Sequence, residues 1–431
     1  MFGCVCSILL IIFIAVQIYN NNIKRSPNLF SAFSMGFLFY YCVVPILIQI
    51  CRVASDDSNY FFSEFLMDNG MPPLFYYLLL FVFYLVFLFS YRYSSGKEEH
   101  QYYFSLLKAK FFFTCLGYFT LIVGSVSLLI YFKALGGFFQ ALVIAEAARS
   151  FSADMASYVG ASYKFIVLAR FLKFSPWGML FLYDYKKTYL SKLLLIVAVI
   201  FVLMLYMFQA SRSALGTFII AFSFPLIKRW TQKPWLFIFI AAIVGINMLN
   251  VLDALFVYFE KESFDVSSFD YDAVLWQFAH PYRNLSHSFN IINDYGIAYG
   301  SHFVTGLLNF IPGVTMEASY ERTCEYYMGV NWRDMYGIPN DIVTFSIIEF
   351  GIVGVVVYSF FIGKLLRWLD KSLALLKESG KLPAFHTMFQ VSLMLAFFFH
   401  VASADISTIY ANYSLVVYPL ILILSLKKKT V

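Results

Sequence analysis

The sequence predicts an all-α, polytopic transmembrane protein. Three observations carry that expectation. Of 431 residues, 61% are hydrophobic and 13% are charged, against roughly a quarter charged in a soluble globular domain. Apolar runs near the ~20 residues that a helix needs to cross a bilayer recur along the whole chain. Lysines and arginines concentrate in alternate connections between those runs, the pattern that orients membrane helices.

Eleven spans follow in order, at about 3–19, 29–51, 72–91, 111–132, 163–183, 193–210, 213–227, 235–252, 343–363, 383–401 and 407–426. The first run, Cys4 to Gln17, has no basic residue ahead of it and no small-x-small cleavage site, so it reads as a retained helix rather than a removable signal. The fifth contains Lys164, Arg170 and Lys173 and is counted because the alternation of basic loops requires it. The sixth and seventh are joined by almost nothing and form a hairpin. The tail, with Lys427, Lys428 and Lys429, places the C-terminus in the cytoplasm. Working backwards, Lys364, Arg367, Lys371, Lys377 and Lys381 fall on the same side. So do Lys228, Arg229, Lys233, Lys186, Lys187, Lys192, Lys97, Lys108, Lys110, Lys24 and Arg25. The N-terminus is then external.

The external connections of substance are 52–71, 133–162 and 253–342. The chain therefore divides into an N-terminal helical region (1–252), a large extracytoplasmic loop (253–342), and C-terminal helices with a basic tail (343–431). Between Asp253 and Asp341 there are twelve acidic residues and four basic ones, Lys261, Arg283, Arg322 and Arg333. An insertion of that length is too long to be a plain connection. Its apolar stretches AVLWQFAH and HFVTGLLNFIPG predict short amphipathic or re-entrant helices at the outer surface. No internal repeat or low-complexity region is visible. Six cysteines, at 4, 6, 42, 51, 115 and 324, include no CxxC and imply no disulfide framework. The net charge of +6 comes from the cytoplasmic side. No basic patch interleaved with aromatics points to nucleic acid.

The candidate functional residues collect on the outer side. Arg212 stands in LYMFQASRSALG, residues 205–216, between two apolar runs. A charge near hydrocarbon must snorkel, pair or line a wet cavity, so it either reaches the headgroups or recognises an anion. Arg170 and Lys173 are three apart and share a helix face, which borders an aqueous cleft or marks an interfacial helix. In HPYRNLSHS, His280 and His287 can act as bases near neutral pH, and Arg283 can hold a phosphate with paired donors. Those histidines are seven positions apart and no third ligand is marked out, so they do not define a zinc site. Glu317, Glu321 and Glu325 are four apart and can line one face of a helix; Arg322, Arg333 and Asp334 accompany them. Asn340 or Asp341 is placed to cap the next helix. Glu349 lies about one and a half turns inside it, ahead of Gly351 and Gly354, and needs a partner or water. His400 and Asp405 flank a short outer loop.

Cationic helices beneath a mixed polar loop suit a substrate with a lipid tail, a diphosphate and a sugar head. A leaving diphosphate develops negative charge that preorganised arginines stabilise most where water is scarce. Three features resemble the O-antigen and capsule repeat-unit polymerases, the Wzy-type integral membrane glycosyltransferases. They are SRSALG at 211–216, the large external loop before the last three spans, and YGIPNDIVTFSIIEFGIVGVVVY at 336–358. Arg212 matches the family's helix-start arginine, and Phe350, Gly351 and Gly354 match its FGxxG ending. Where relatives often carry an acidic residue and then Asn before the FG, this chain has Phe345 and Glu349.

The resemblance implies a GT-C-like architecture in a bacterial inner membrane with its active site facing the periplasm or exterior. It implies transfer of a growing glycan from its undecaprenyl diphosphate to the non-reducing end of a new lipid-linked unit, with neither metal nor cofactor. Membrane lipid and a chain-length regulator protein are the further partners. Arg212 and Arg170 would bind diphosphate, with Lys173 and Arg333 beside them. His280, Arg283 and Glu349 complete the candidate catalytic set, and the general base stays unassigned. An O-antigen ligase and a lipid-linked oligosaccharide flippase or transporter are the alternatives.

Overall fold

The structure is a computed structural model. It describes residues 2–24, 28–48, 72–93, 102–143, 163–209, 212–230, 271–308, 314, 316–329, 338–405 and 417–428. The elements in chain order begin with α1 (Phe2–Lys24), α2 (Leu29–Leu38, running through a π-helical turn Phe39–Val43), α3 (Pro73–Arg92), β1 (Tyr102–Phe104), α4 (Leu106–Ala134) and α5 (Phe138–Val143). Then come α6 (Tyr163–Ala169), a 3₁₀ turn (Arg170–Phe174), α7 (Ser175–Lys186), α8 (Tyr189–Phe208) and α9 (Arg212–Trp230). Next come α10 (Tyr271–Tyr295), α11 (Ser301–Leu308) and α12 (Ser319–Met328). The chain closes with α13 (Ile342–Glu378), α14 (Pro383–His400), α15 (Val417–Leu424) and β2 (Leu426–Lys428).

Six of these helical stretches are long and apolar enough to cross a membrane: Leu29–Ile48, Leu74–Arg92, Leu106–Ala134, Phe165–Lys186, Tyr189–Phe208 and Ile342–Glu378. They coincide with the expected second to sixth and ninth spans. The first expected span falls on a shorter apolar stretch, Val5–Asn21. The seventh and tenth are the helices α9 and α14, and only part of the eleventh is described, as α15. The eighth, 235–252, and the loop 52–71 lie outside the described residues. The protein is thus an all-α membrane protein with several membrane-crossing helices.

The bundle core is aromatic. α3 packs along α13, α7 against α4 and α8, and α14 between α2 and α9. Phe33 and Phe87 sit 4.5 Å apart between ring centroids, and Phe113 and Phe181 stack at 5.0 Å. Small residues permit the closest approaches. Gly117 of α4 faces Gly178 of α7 so tightly that a Cβ on Gly178 would lie 2.5 Å from the Gly117 Cα.

Each end of the bundle is tied by polar groups, and the two ends draw on alternate connections. At one end the Asp370 carboxylate accepts from the backbone N–H of Leu29 (2.9 Å) and the Tyr91 hydroxyl (2.8 Å), capping α2. Arg367 and Lys364 donate to the last carbonyls of α3, at Tyr91 and Tyr93, both at 2.8 Å. Asp184 accepts from the Phe385 N–H at the start of α14. β1 and β2 pair antiparallel there, Tyr103 opposite Lys427. These are the connections expected to be cytoplasmic. At the other end Tyr41, Asp341, Val401 and the segment α10–α12 meet. The part of α13 that follows its kink at Phe350 and Gly351 is about 40 Å long, enough to cross a ~30 Å hydrocarbon layer.

Candidate functional site

The site is built around a break in α13. Its first segment is capped by Asp341, whose Oδ1 accepts from the Val343 and Thr344 N–H groups at 3.1 and 3.0 Å. That is the cap expected from NDIV. The Tyr41 hydroxyl, carried by the π-helical turn of α2, donates to the same carboxylate. Burial pushes the Asp341 carboxyl up to about 6, against the opposing pull of these hydrogen bonds.

Two turns further on, the helix breaks. Phe350 (φ −139°, ψ 17°) and Gly351 (φ 63°, ψ −154°) leave helical geometry, and the positive φ is one that glycine adopts without strain. The freed Ile348 carbonyl accepts from the Ala298 N–H at 2.9 Å. Beyond the break the chain folds back so closely that a Cβ on Gly354 would lie 1.8 Å from the Ser346 carbonyl oxygen. The FGxxG ending is thus a steric prescription: one glycine for the backbone angle, the second for the contact. Irregular backbone at membrane depth survives only where protein or a water-lined cavity satisfies it.

Glu349, the last residue before the break, is fully buried. The expectation that it needs a partner is met by a residue that the sequence did not single out. His302 Nδ1 lies 2.5 Å from Glu349 Oε1. His302 is itself 3% exposed. Its other ring nitrogen, Nε2, and Glu349 Oε2 are buried without a hydrogen-bond partner among the described residues. The group nearest to Nε2 is the Glu317 carboxylate, 3.9 Å away and half exposed. Glu317 is in turn held by Arg322 Nε at 2.7 Å, and Arg322 donates to the Gly296 carbonyl at 3.1 Å. A line of polar side chains therefore runs from the buried helix break to the half-exposed Glu317.

Phe303, next to His302, packs edge-on to Phe345 at 5.2 Å and lies 6.0 Å from the Tyr358 ring. Phe345 is fully buried core packing. Tyr358 lies within electrostatic reach of both Glu349 and Asp405. The Asp405 carboxylate accepts from the Tyr320 N–H at 3.1 Å, and Tyr320 lies within reach of Arg170. Among these groups the direct contact is the one between Tyr320 and Asp405.

The other expected residues are distributed around it. His280, Arg283 and His287 are on α10, a single 25-residue helix that continues through Pro281, not on short helices or a loop. His280 Nε2 bonds the Ala402 carbonyl at 2.9 Å. The Arg283 guanidinium lies 3.8 Å over the Tyr327 ring, and the Tyr327 hydroxyl donates to the Arg283 carbonyl. His287 is buried beside Tyr326, and burial, with Arg283 adding to it, lowers its pKa from the ordinary histidine value. Asn284 donates to the Pro339 carbonyl at 3.0 Å. Glu321 and Glu325 are on α12, with Glu317 ahead of its start. Cys324 is buried, its sulfur accepting from the Ile338 N–H.

Arg170 and Lys173 fall in the 3₁₀ turn, where residues three apart do share a face. That face is not an open cleft at Lys173, which is 3% exposed with Nζ 5.3 Å from the Tyr206 ring. Arg212 is the first residue of α9, and its side chain lies outside the described residues, as does Arg333. Among the described residues no group of three or more His, Cys, Asp or Glu is placed to hold a metal ion.

Fold and site together define a class, a polytopic all-α membrane protein with a broken helix and a buried imidazole–carboxylate pair at one end. Comparison with family models, curated proteins and solved structures returned no match to this chain.

Proposed function

We propose that the chain is a glycosyltransferase of a bacterial inner membrane. In this reading it transfers a growing glycan from its undecaprenyl diphosphate to the non-reducing end of a new lipid-linked unit, without metal or cofactor. The observation that carries the reading is the buried His302–Glu349 pair at the break in α13, with the Tyr320–Asp405 hydrogen bond and Arg170 within electrostatic range of Tyr320. Apolar helices suit the lipid tail, and a cation suits the diphosphate. Buried acid–base groups suit activation of a sugar hydroxyl. Arg170 and Arg212 are the proposed diphosphate ligands, with Arg333 and Lys173 supporting them. His280 and Arg283 belong to the roof over the acceptor glycan. The remaining expected spans, the GT-C-like arrangement and the periplasm-facing site are part of the same proposal, as is a chain-length regulator as partner.

The break in α13 also favours a second reading, because transporters place substrate sites at discontinuous membrane helices. Deleting the gene and resolving the surface glycan on a gel separates the readings. Loss of the ladder with one repeat unit remaining supports the polymerase. Long unligated chains on the carrier lipid indicate a ligase. Units trapped inside indicate a transporter. An unchanged ladder would overturn all three.

A further inference from the structure

The paired groups at the helix break carry an assignment that the family motifs do not supply. His302 lies on α11, outside SRSALG and outside the 336–358 stretch. Its Nδ1 faces Glu349 Oε1 at 2.5 Å. With an ionised Glu349, which can only accept, a neutral His302 carries its ring proton on Nδ1. That tautomer leaves a lone pair on Nε2. Nε2 is buried and has no hydrogen-bond partner among the described residues. A buried polar atom left so destabilises the fold when nothing engages it, which is a reason to look for a ligand at that atom.

The surroundings fit a base that becomes charged and then recovers. Glu349 stands on the Nδ1 side and Glu317 on the Nε2 side at 3.9 Å, so an imidazolium there would sit between two carboxylates. Glu317 is half exposed and tied to Arg322, which gives the proton an exit to water. The orientation of an imidazole by a buried carboxylate, with the distal nitrogen free, is the logic of hydrolase triads; here no serine is involved.

We propose that His302 is the general base of the transfer reaction and Glu349 its positioning residue. The inference rests on the glycan-transfer reading. In the step, the acceptor hydroxyl gives its proton to His302 Nε2 as its oxygen bonds to the anomeric carbon of the donor glycan. The bond from that carbon to the diphosphate oxygen breaks, and its electron pair leaves with the diphosphate. The imidazolium then passes the Nε2 proton to Glu317 and water, restoring the lone pair.

The decisive variant is His302→Asn. Its amide nitrogen reproduces the Nδ1 donor to Glu349 but offers nothing at the Nε2 position. The gene carrying H302N replaces the wild-type copy in the host, and the host's own lipid-linked units are the probe. The expected result is wild-type protein level, an unchanged melting temperature of the purified protein, and loss of the glycan ladder beyond one repeat unit by about 100-fold or more. A wild-type ladder in H302N cells would overturn the assignment and show that His302 only packs. If H302N does not accumulate, His302→Gln is measured under the same criteria. Glu349→Gln keeps an acceptor for Nδ1 while removing the charge, and should shorten the ladder at normal protein level; Glu349→Asp should restore part of it. The parent reading fails separately. If deletion leaves the ladder unchanged, the transfer reading falls and this one with it. If deletion abolishes the ladder while H302N preserves it, only the base assignment falls.

Discussion

His302 Nδ1 and Glu349 Oε1 lie 2.5 Å apart, both side chains buried, across the point where α13 breaks. The two residues are 47 apart in sequence and belong to different helices. Removing one partner of such a pair strands the other in a dry environment, so the pair should behave as a unit. Glu349→Ala is expected to destabilise the protein by about 3–5 kcal/mol. A double-mutant cycle with H302A and E349A, which remove the contact from either side, should give a coupling of about 1–3 kcal/mol. Denaturation of the detergent-purified variants measures both; additive effects would mean that the pair is only adjacent.

Two glycines from the two motifs should respond to alanine in opposite directions. Gly354 has no room, since its Cβ would meet the Ser346 carbonyl oxygen at 1.8 Å, so G354A should cost about 3 kcal/mol or more through backbone displacement. Gly216 is in a helix, and a Cβ there would meet nothing within 4 Å. G216A should therefore be neutral or stabilise by up to about 1 kcal/mol. Melting temperatures of the two variants, measured side by side, check the pair. An equal loss in both would contradict the packing described at the break.

His287 gives the protein a pH dependence of definite sign. Burial and Arg283 disfavour its imidazolium, so its folded pKa is lowered. The unfolded chain then takes up a proton that the folded chain refuses as pH falls below about 6.5. The contribution is fully present above that value and is lost as pH drops through it. Thermal unfolding at pH 7.5 and 5.5 should show a smaller acid-side loss for His287→Gln than for wild type. Arg283→Gln should also reduce the loss, because one of the two causes is removed.

The alternation of basic loops predicts which end faces the cytoplasm. Tyr299 is exposed at the end formed by α10–α12, and Lys377 is exposed near the far end of α13. In a cysteine-free background, Tyr299→Cys should react with a membrane-impermeant maleimide when only the outer face of the membrane is accessible. Lys377→Cys should react only after permeabilisation. The reverse pattern would invert the topology and move the candidate site to the cytoplasmic side.

Periodicity and composition made the helical membrane architecture legible, because each crossing must hold its apolar surface and backbone bonds within a single local segment. Charge placement made the grouping of ends legible for the same reason: the basic residues that orient a span sit at its own flanks. The cap at Asp341 and the glycines of the FGxxG ending are likewise local features, and the residues alone located them. The partner of Glu349 was not legible, since His302 opens a stretch that otherwise reads as simply apolar. Nor was the burial of Lys173 against Tyr206, or of Asp341 beneath Tyr41. These depend on which helices touch, and a sequence records helix faces far more directly than the choice of neighbours. Only the tertiary packing brought an imidazole, two carboxylates and Arg322 into one line, because short-range hydrogen bonding requires positions fixed to within an ångström across separate helices.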